Sequence, residues 1–185
     1  IRAILPGANC GGCGYPGCDA YANALVEEGA DMSLCGVGGP NVAKQIGEIL
    51  GVKVKPVEKK VAFVKCMGDC KNKKIQLNIP KDKTCIEAKE FLSDKESEGC
   101  GFGCFGLGSC KEACKFGAIS IVDGIAKIDS SKCVACKACI RVCPQNLIDI
   151  IKDDQKVIVN CNSNDSGKIV NKNCSVGCIG CNLCE

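Results

Sequence analysis

The stretch "KCVACKACIRVCP", Lys132–Pro144, places four thiols at Cys133, Cys136, Cys139 and Cys143, with a proline directly behind the last. One such run would be an oddity. The chain has 20 cysteines in 185 residues and no histidine, so its reading governs the molecule. Cysteine at this density marks a disulfide scaffold or a metal protein. Disulfide frameworks spread their cysteines to staple distant segments, and thiols two residues apart do not pair easily. Zinc usually takes two pairs of ligands, often with His among them. Four thiols crowded at spacings of 2, 2 and 3 suit neither.

The spacing C-x2-C-x2-C-x3-C-P fits 4Fe–4S cubes of the bacterial ferredoxin kind, in which three cysteines hold one cube and the fourth reaches a neighbouring cube. Pro144 stops the loop from continuing as helix and fixes the backbone direction after the fourth ligand. Formal charge is +3 with every Cys neutral. A cube with four thiolates carries roughly −2, so four cubes would take the chain to about −5. The basic balance is therefore no sign of a nucleic-acid partner, and the lysines read as counter-charge or docking surface. Aromatic residues make up 4% and Trp is absent. The clusters then act as cores of small folds, as metals do in other mini-domains.

Working outward, the fold class expected is α+β: a small four-cysteine 4Fe–4S domain, then ferredoxin-like dicluster domains of βαββαβ type, the last one truncated. Residues 1–51 form the first domain. "LPGANCGGCGYPGC" is loop, "DAYANALVEEGA" a helix with Ala20, Ala24 and Leu25 on one side, and "LCGVGGPNVAKQIGEILGV" a glycine loop leading into a second helix. Its ligands are Cys10, Cys13, Cys18 and Cys35, all on loops flanking a helix. Residues 52–60 are a charged linker. Residues 61–99 are a cysteine-containing strand–helix insert, in which "VAFVKC" is a strand ending at Cys66 and "CIEAKEFLSD" a helix.

Residues 100–156 read as the dicluster domain. "GCFGLGSCKEACKFGAI" aligns without a gap to "KCVACKACIRVCPQNLI", and between them "AISIVDGIAKID" gives two short strands around Asp123-Gly124, a strong hairpin signal. "LIDII" closes as a strand. Residues 157–185 repeat the pattern: "VIVNC" echoes "VAFVKC", and "NCSVGCIGCNLC" echoes "GCGFGCFGLGSC". A second repeat therefore starts near 157 and breaks off. With no initiator Met, both ends read as cut, and no run of 18 apolar residues is present to span a membrane.

The standard run assigns Cys133, Cys136 and Cys139 to one cube, completed by Cys114. Cys143 completes the other, built on Cys104 and Cys110, but Leu107 stands where its middle cysteine belongs. Either Cys100 supplies that corner, the reading favoured because it needs only a local loop change, or Cys66, Cys70, Cys85 and Cys100 form a separate cube and leave a three-cysteine site. Cys66, Cys70 and Cys85 are otherwise free buried thiols. Cys178, Cys181 and Cys184 begin a further site whose fourth ligand lies past residue 185. Cys161 and Cys174 remain without a role. At least three 4Fe–4S clusters are expected, with the balance toward four or more.

The stretch "LPGANCGGCGYPGCDAYANAL", with "VKCMGDC…GCGFGCFGLGSCKEACKFGAI" after it, resembles the B subunit of the Rnf-type ion-translocating ferredoxin:NAD oxidoreductase complex in its longer, polyferredoxin-bearing form. The first motif is also similar to domains of corrinoid iron–sulfur proteins; the combination carries the resemblance. It implies an electron-carrying subunit of an oxidoreductase complex with no catalytic residues of its own. It would accept electrons from reduced ferredoxin and pass them through the cubes to other subunits of a membrane-bound complex that pumps Na⁺ or H⁺. It would sit on the cytoplasmic side of the cell membrane, peripheral or anchored, reaching the membrane through partners or an anchor outside this sequence. All-cysteine ligation suits low potentials. The glycine runs "GVGGP" and "GLGSC" read as cluster loops, since neither follows a strand in a βαβ unit. The lysines of "KNKK" and "KDK" are candidates for steering an acidic ferredoxin, with a solvated loop as the simpler reading. Two other classes stay open: a soluble polyferredoxin subunit of a hydrogenase or other oxidoreductase with no membrane coupling, and a zinc-bearing scaffold.

Overall fold

The computed structural model describes residues 1–93 and 98–183. Cys184, expected among the ligands, lies outside the described residues, as does the end of the stretch read as helix after Cys85.

Helices and strands are both short, and the cysteine loops sit between them. The first helices are α1, Cys18–Glu27, and α2, Gly39–Leu50, after one 3-10 turn at Arg2–Ile4. Pro40 occupies the first turn of α2, where its missing N–H costs nothing. Their apolar faces meet in a core of Leu5, Tyr21, Ala22, Leu25 and Ile46, and Cys13, Cys18 and Cys35 pack against its edge. Ala24 and Leu25 are buried as the helical pattern predicts, whereas Ala20 is only half-buried. Tyr21 carries more of that face than the pattern suggested, with its hydroxyl donating to the Asp31 carbonyl at 2.7 Å.

Residues 52–59 are irregular. Strand β1, Lys60–Val64, ends two residues short of Cys66. Helices α3, Cys85–Ser93, and α4, Ser109–Glu112, follow. Then come β2, Ile119–Val122, and β3, Ile125–Ile128, a hairpin that turns at Asp123-Gly124 with φ of 50° and 77°. Positive φ at both turn residues is what a two-residue loop of this twist requires. Helix α5, Ala138–Arg141, and strand β4, Ile148–Lys152, complete this part.

β1 pairs antiparallel with β4, Ala62 opposite Ile150, so one sheet joins the strand opening the 61–99 segment to the strand that "LIDII" predicts. Lys65–Asp149 and Lys152–Glu58, each at 2.8 Å, flank it at the surface, where such pairs add little. The core between this sheet and the hairpin consists of Ala62, Ile119, Ala126, Leu147 and Ile148 together with Cys110 and Cys139. Five further cysteines, 66, 104, 114, 133 and 143, pack against it. Thiols thus fill the positions where a larger domain would put leucine.

The strand expected at "VIVNC" is not formed. Cys161 makes a single antiparallel bridge to Cys66, two residues beyond the end of β1. Helix α6, Gly167–Asn173, follows and delivers Cys174. Among the described residues no helix is long and apolar enough to cross a membrane.

Candidate iron–sulfur sites

The described cysteines are free thiols, and the fold collects most of them in sets of four. Cys10, Cys13, Cys18 and Cys35 line one cavity between the first loop, the start of α1 and the loop before α2. Asn9, itself at φ 45°, accepts the Cys18 amide on Oδ1 at 2.8 Å and so fixes where α1 begins. The Gly38 amide donates to Cys35 Sγ at 3.4 Å. Burial pushes the Cys35 thiol up, the Gly38 amide acts against this, and the thiols of Cys18, Cys10 and Cys13 add to the rise.

Cys133, Cys136, Cys139 and Cys114 form the second set. Burial pushes the Cys139 thiol up to about 11, and the neighbouring thiols of Cys136, Cys133 and Cys114 add to the rise. The loop that carries them winds through Ala135 and Lys137 at φ 51° and 63°. Side chains other than glycine rarely hold that conformation, and it concentrates at functional sites. A left-handed residue beside a right-handed one is the backbone pattern that turns successive amides toward an anion. From β1, the Ala62 amide donates to Cys133 Sγ at 3.2 Å.

The third set departs from the favoured expectation. Cys104, Cys110 and Cys143 line a cavity whose fourth thiol is Cys85, not Cys100. Cys85 opens α3, where Thr84 and Glu87 form a capping box: Glu87 Oε2 accepts the Thr84 amide at 2.7 Å and Thr84 Oγ1 accepts the Glu87 amide at 3.3 Å. The Cys85 amide itself donates to Ser109 Oγ at 3.0 Å, tying α3 to the start of α4, which carries Cys110. The sequence carried this signal as T-x-x-E directly around Cys85. Burial pushes Cys110 up to about 12, with Cys104, Cys85 and Cys143 the next causes in that order.

Cys100 lies elsewhere, lining a fourth cavity with Cys66, Cys161 and Cys174. Cys70 is exposed, its amide donating to the Asp123 carbonyl at 2.8 Å; Cys178 is half-buried and Cys181 exposed. Two lysines of "KNKK" are internal fasteners, Lys73 Nζ donating to the Cys104 carbonyl and Lys74 Nζ to that of Asn171.

The donors fit iron–sulfur chemistry. Thiolates are the soft ligands that select such clusters. Among the described residues no three His, Cys, Asp or Glu side chains gather closely enough for a single ion.

The first two sets also meet. A Cβ placed on Gly12 would sit 2.9 Å from Cys136 Cα, and one on Gly36 would run into the Val134 carbonyl oxygen. The loop between Cys10 and Cys13 and the residue after Cys35 therefore press their backbones against the loop of Cys133 and Cys136.

Residues 5–37 match the family described as "Putative Fe-S cluster", and residues 126–149 the family described as "4Fe-4S binding domain". The chain is 44% identical over 186 residues to the B subunit of an ion-translocating oxidoreductase complex from Methanosarcina acetivorans, a match covering 100% of this chain and 70% of that protein. It is 42% identical over 179 residues to the B subunit of the Na(+)-translocating ferredoxin:NAD(+) oxidoreductase complex of Acetobacterium woodii, covering 96% of this chain and 53% of the relative. To the B subunit of the proton-translocating ferredoxin:NAD(+) oxidoreductase complex of Clostridium ljungdahlii it is 38% identical over 180 residues, 96% of this chain and 63% of the relative. The chain thus spans between about half and about two thirds of the length of these relatives.

Proposed function

The chain belongs to the family of ion-translocating oxidoreductase complex B subunits, and we propose from this that it is an electron-carrying subunit relaying single electrons through a row of 4Fe–4S cubes. Three cubes are held by Cys10, Cys13, Cys18 and Cys35; by Cys114, Cys133, Cys136 and Cys139; and by Cys85, Cys104, Cys110 and Cys143. Residues 60–152 form the dicluster ferredoxin unit around the last two, with the chain between β1 and Cys104 inserted into it. Cys178, Cys181 and Cys184 belong to a further site.

What carries this reading is that each set gathers four thiols drawn from separate loops. Backbone amides aim at the sulfurs of Cys35 and Cys133. When bound, a cube supplies reversible one-electron chemistry at a potential set by its net charge, amide hydrogen bonds and exposure. The chain's own residues hold the thiolates, exclude water around the buried pair Cys110 and Cys139, and keep neighbouring sites in contact through Gly12 and Gly36. The names of two relatives specify ferredoxin and NAD. Reduced ferredoxin is accordingly the proposed donor, and other subunits of a membrane complex, reached on its cytoplasmic side, the acceptors.

Redox-titrated EPR of the anaerobically purified chain, with iron and sulfide quantitation, tests this. Several reducible cubic clusters are expected, at least three and hence about 12 iron per chain, and reduced ferredoxin should bleach their visible absorption. A folded, colourless, iron-free chain overturns the reading.

A further inference from the structure

Four of the cysteines not used above come together on their own. Cys66, Cys100, Cys161 and Cys174 line one cavity, from three segments separated by tens of residues. We propose that their thiolates hold a further 4Fe–4S cube, adjoining the one at Cys85, Cys104, Cys110 and Cys143. The proposal rests on the iron–sulfur reading above and adds a site to it.

Each corner is placed by a separate device. Cys66 and Cys161 face each other across the single antiparallel bridge. Cys100 has both of their thiols as neighbours, and the amides of Phe102 and Gly103 donate toward its sulfur. Cys174 is buried at the end of α6, and its backbone bridges to Lys73. The segment around it is clamped by the Lys74 amide donating to the Asn173 carbonyl at 2.9 Å and the Ser175 amide donating to the Asn72 carbonyl at 3.0 Å. Asn173, a buried polar side chain 6% exposed, donates from Nδ2 to the Gly99 carbonyl at 3.1 Å, holding the residue next to Cys100 against the residue next to Cys174. Such a lock has no purpose in a surface loop, but it sets the separation of two ligands.

Two glycines lie within ordinary contact range of the sulfurs. A Cβ on Gly68 would lie 3.5 Å from Cys174 Sγ, and one on Gly103 would lie 3.6 Å from Cys100 Sγ. Asp165 also lines the cavity, but a carboxylate oxygen is a harder donor than the four thiols and less suited to iron–sulfur ligation. The Cys104 amide donates to Cys66 Sγ at 3.5 Å, so one ligand of this site touches the backbone of a ligand of the next. Loading is ligand exchange without net redox: on a thiolate-ligated preformed cube four carrier S–Fe bonds break as four cysteine S–Fe bonds form, and the departing thiolates leave as free thiols with the four cysteine protons.

The test uses the full chain, purified anaerobically, as wild type and as Cys161→Ser, Cys100→Ser and Cys85→Ser. Cys161→Ser and Cys100→Ser should remove, or convert to a 3Fe–4S form, one and the same reduced-state EPR signal, with a matching fall in iron. Cys85→Ser should act on a different signal. The site is refuted if Cys161→Ser leaves iron content and every signal unchanged, or if Cys100→Ser and Cys85→Ser act on the same signal. Should the variants not fold, alkylation of the wild-type chain read by mass spectrometry decides. Cys66, Cys100 and Cys161 should resist alkylation while iron is bound and react once a chelator has stripped it; equal rates in both states refute the site. An iron-free wild-type chain sinks the broader reading as well, whereas an iron-loaded wild type indifferent to Cys161→Ser sinks this site alone.

Discussion

Gly36 shows how much one missing methyl group can decide. It follows Cys35, and its backbone lies so close to the Val134 carbonyl that alanine has nowhere to put its Cβ. Both groups in that contact are main chain, so no side chain can swing aside. Overpacking of this kind typically costs about 1–3 kcal/mol, and here the cheaper response is for the first unit to lift away from the loop of Cys133 and Cys136. Gly36→Ala should therefore keep its iron, lower the thermal midpoint, and weaken the magnetic coupling between the two reduced clusters in pulsed EPR. Gly101→Ala, where nothing lies within 4 Å of the added carbon, should match wild type in all three. Unchanged coupling in Gly36→Ala would mean that the contact does not set the separation of the two sites.

At the level of elements, the start of α3 matters most, because it decides which cysteine completes the third set. Thr84 and Glu87 cap the helix reciprocally and Cys85 is its first residue. Removing an N-cap hydroxyl costs about 1 kcal/mol, roughly fivefold in the population of the opened helix start. Thr84→Ala should let a chelator strip one cluster about that much faster than the rest, read as selective loss of the EPR signal that Cys85→Ser abolishes. The Thr84 amide and hydroxyl hold the Glu87 carboxyl below its ordinary 4.5. A depressed carboxylate contributes stability that is present above the unfolded value and lost as pH falls through the folded one. Stripping should thus accelerate below about pH 4.5 in wild type, and less steeply in Glu87→Gln. The hairpin at Asp123-Gly124 was legible because its φ requirement is written in the residue types, and so were the first set and the run at 133–143. Cys85 was not legible as the partner of Cys104, because sequence nearness favours Cys100 while closing a longer loop adds little entropy cost. "VIVNC" reads as a strand by composition, but composition supplies no pairing partner, and the segment makes only the bridge at Cys161.

For the whole molecule, the cores are too thin to stand without what the thiols bind. The larger core combines five buried apolar residues with Cys110 and Cys139, and five more cysteines and six partly buried aliphatic residues pack against it. With 5 Phe, 2 Tyr and no Trp in 185 residues, no aromatic mass is available to replace the clusters. Folding free energy then has to come largely from cluster binding, as in small metallo-domains that unfold when stripped. Chelation should abolish the cooperative thermal transition, and anaerobic reconstitution with iron and sulfide should restore it. The same experiment counts the cubes. The stripped chain carries +3, and each cube with its four thiolates contributes roughly −2, so three cubes bring the loaded chain to about −3 and four to about −5. Anaerobic native isoelectric focusing should move the chain from its sequence value near 8.0 to the acidic side of neutrality, and Cys161→Ser should recover about two of those charges where it removes its cube outright. A stripped chain that still melts cooperatively at the holo midpoint would show that its apolar contacts suffice, and that the clusters are passengers in the fold.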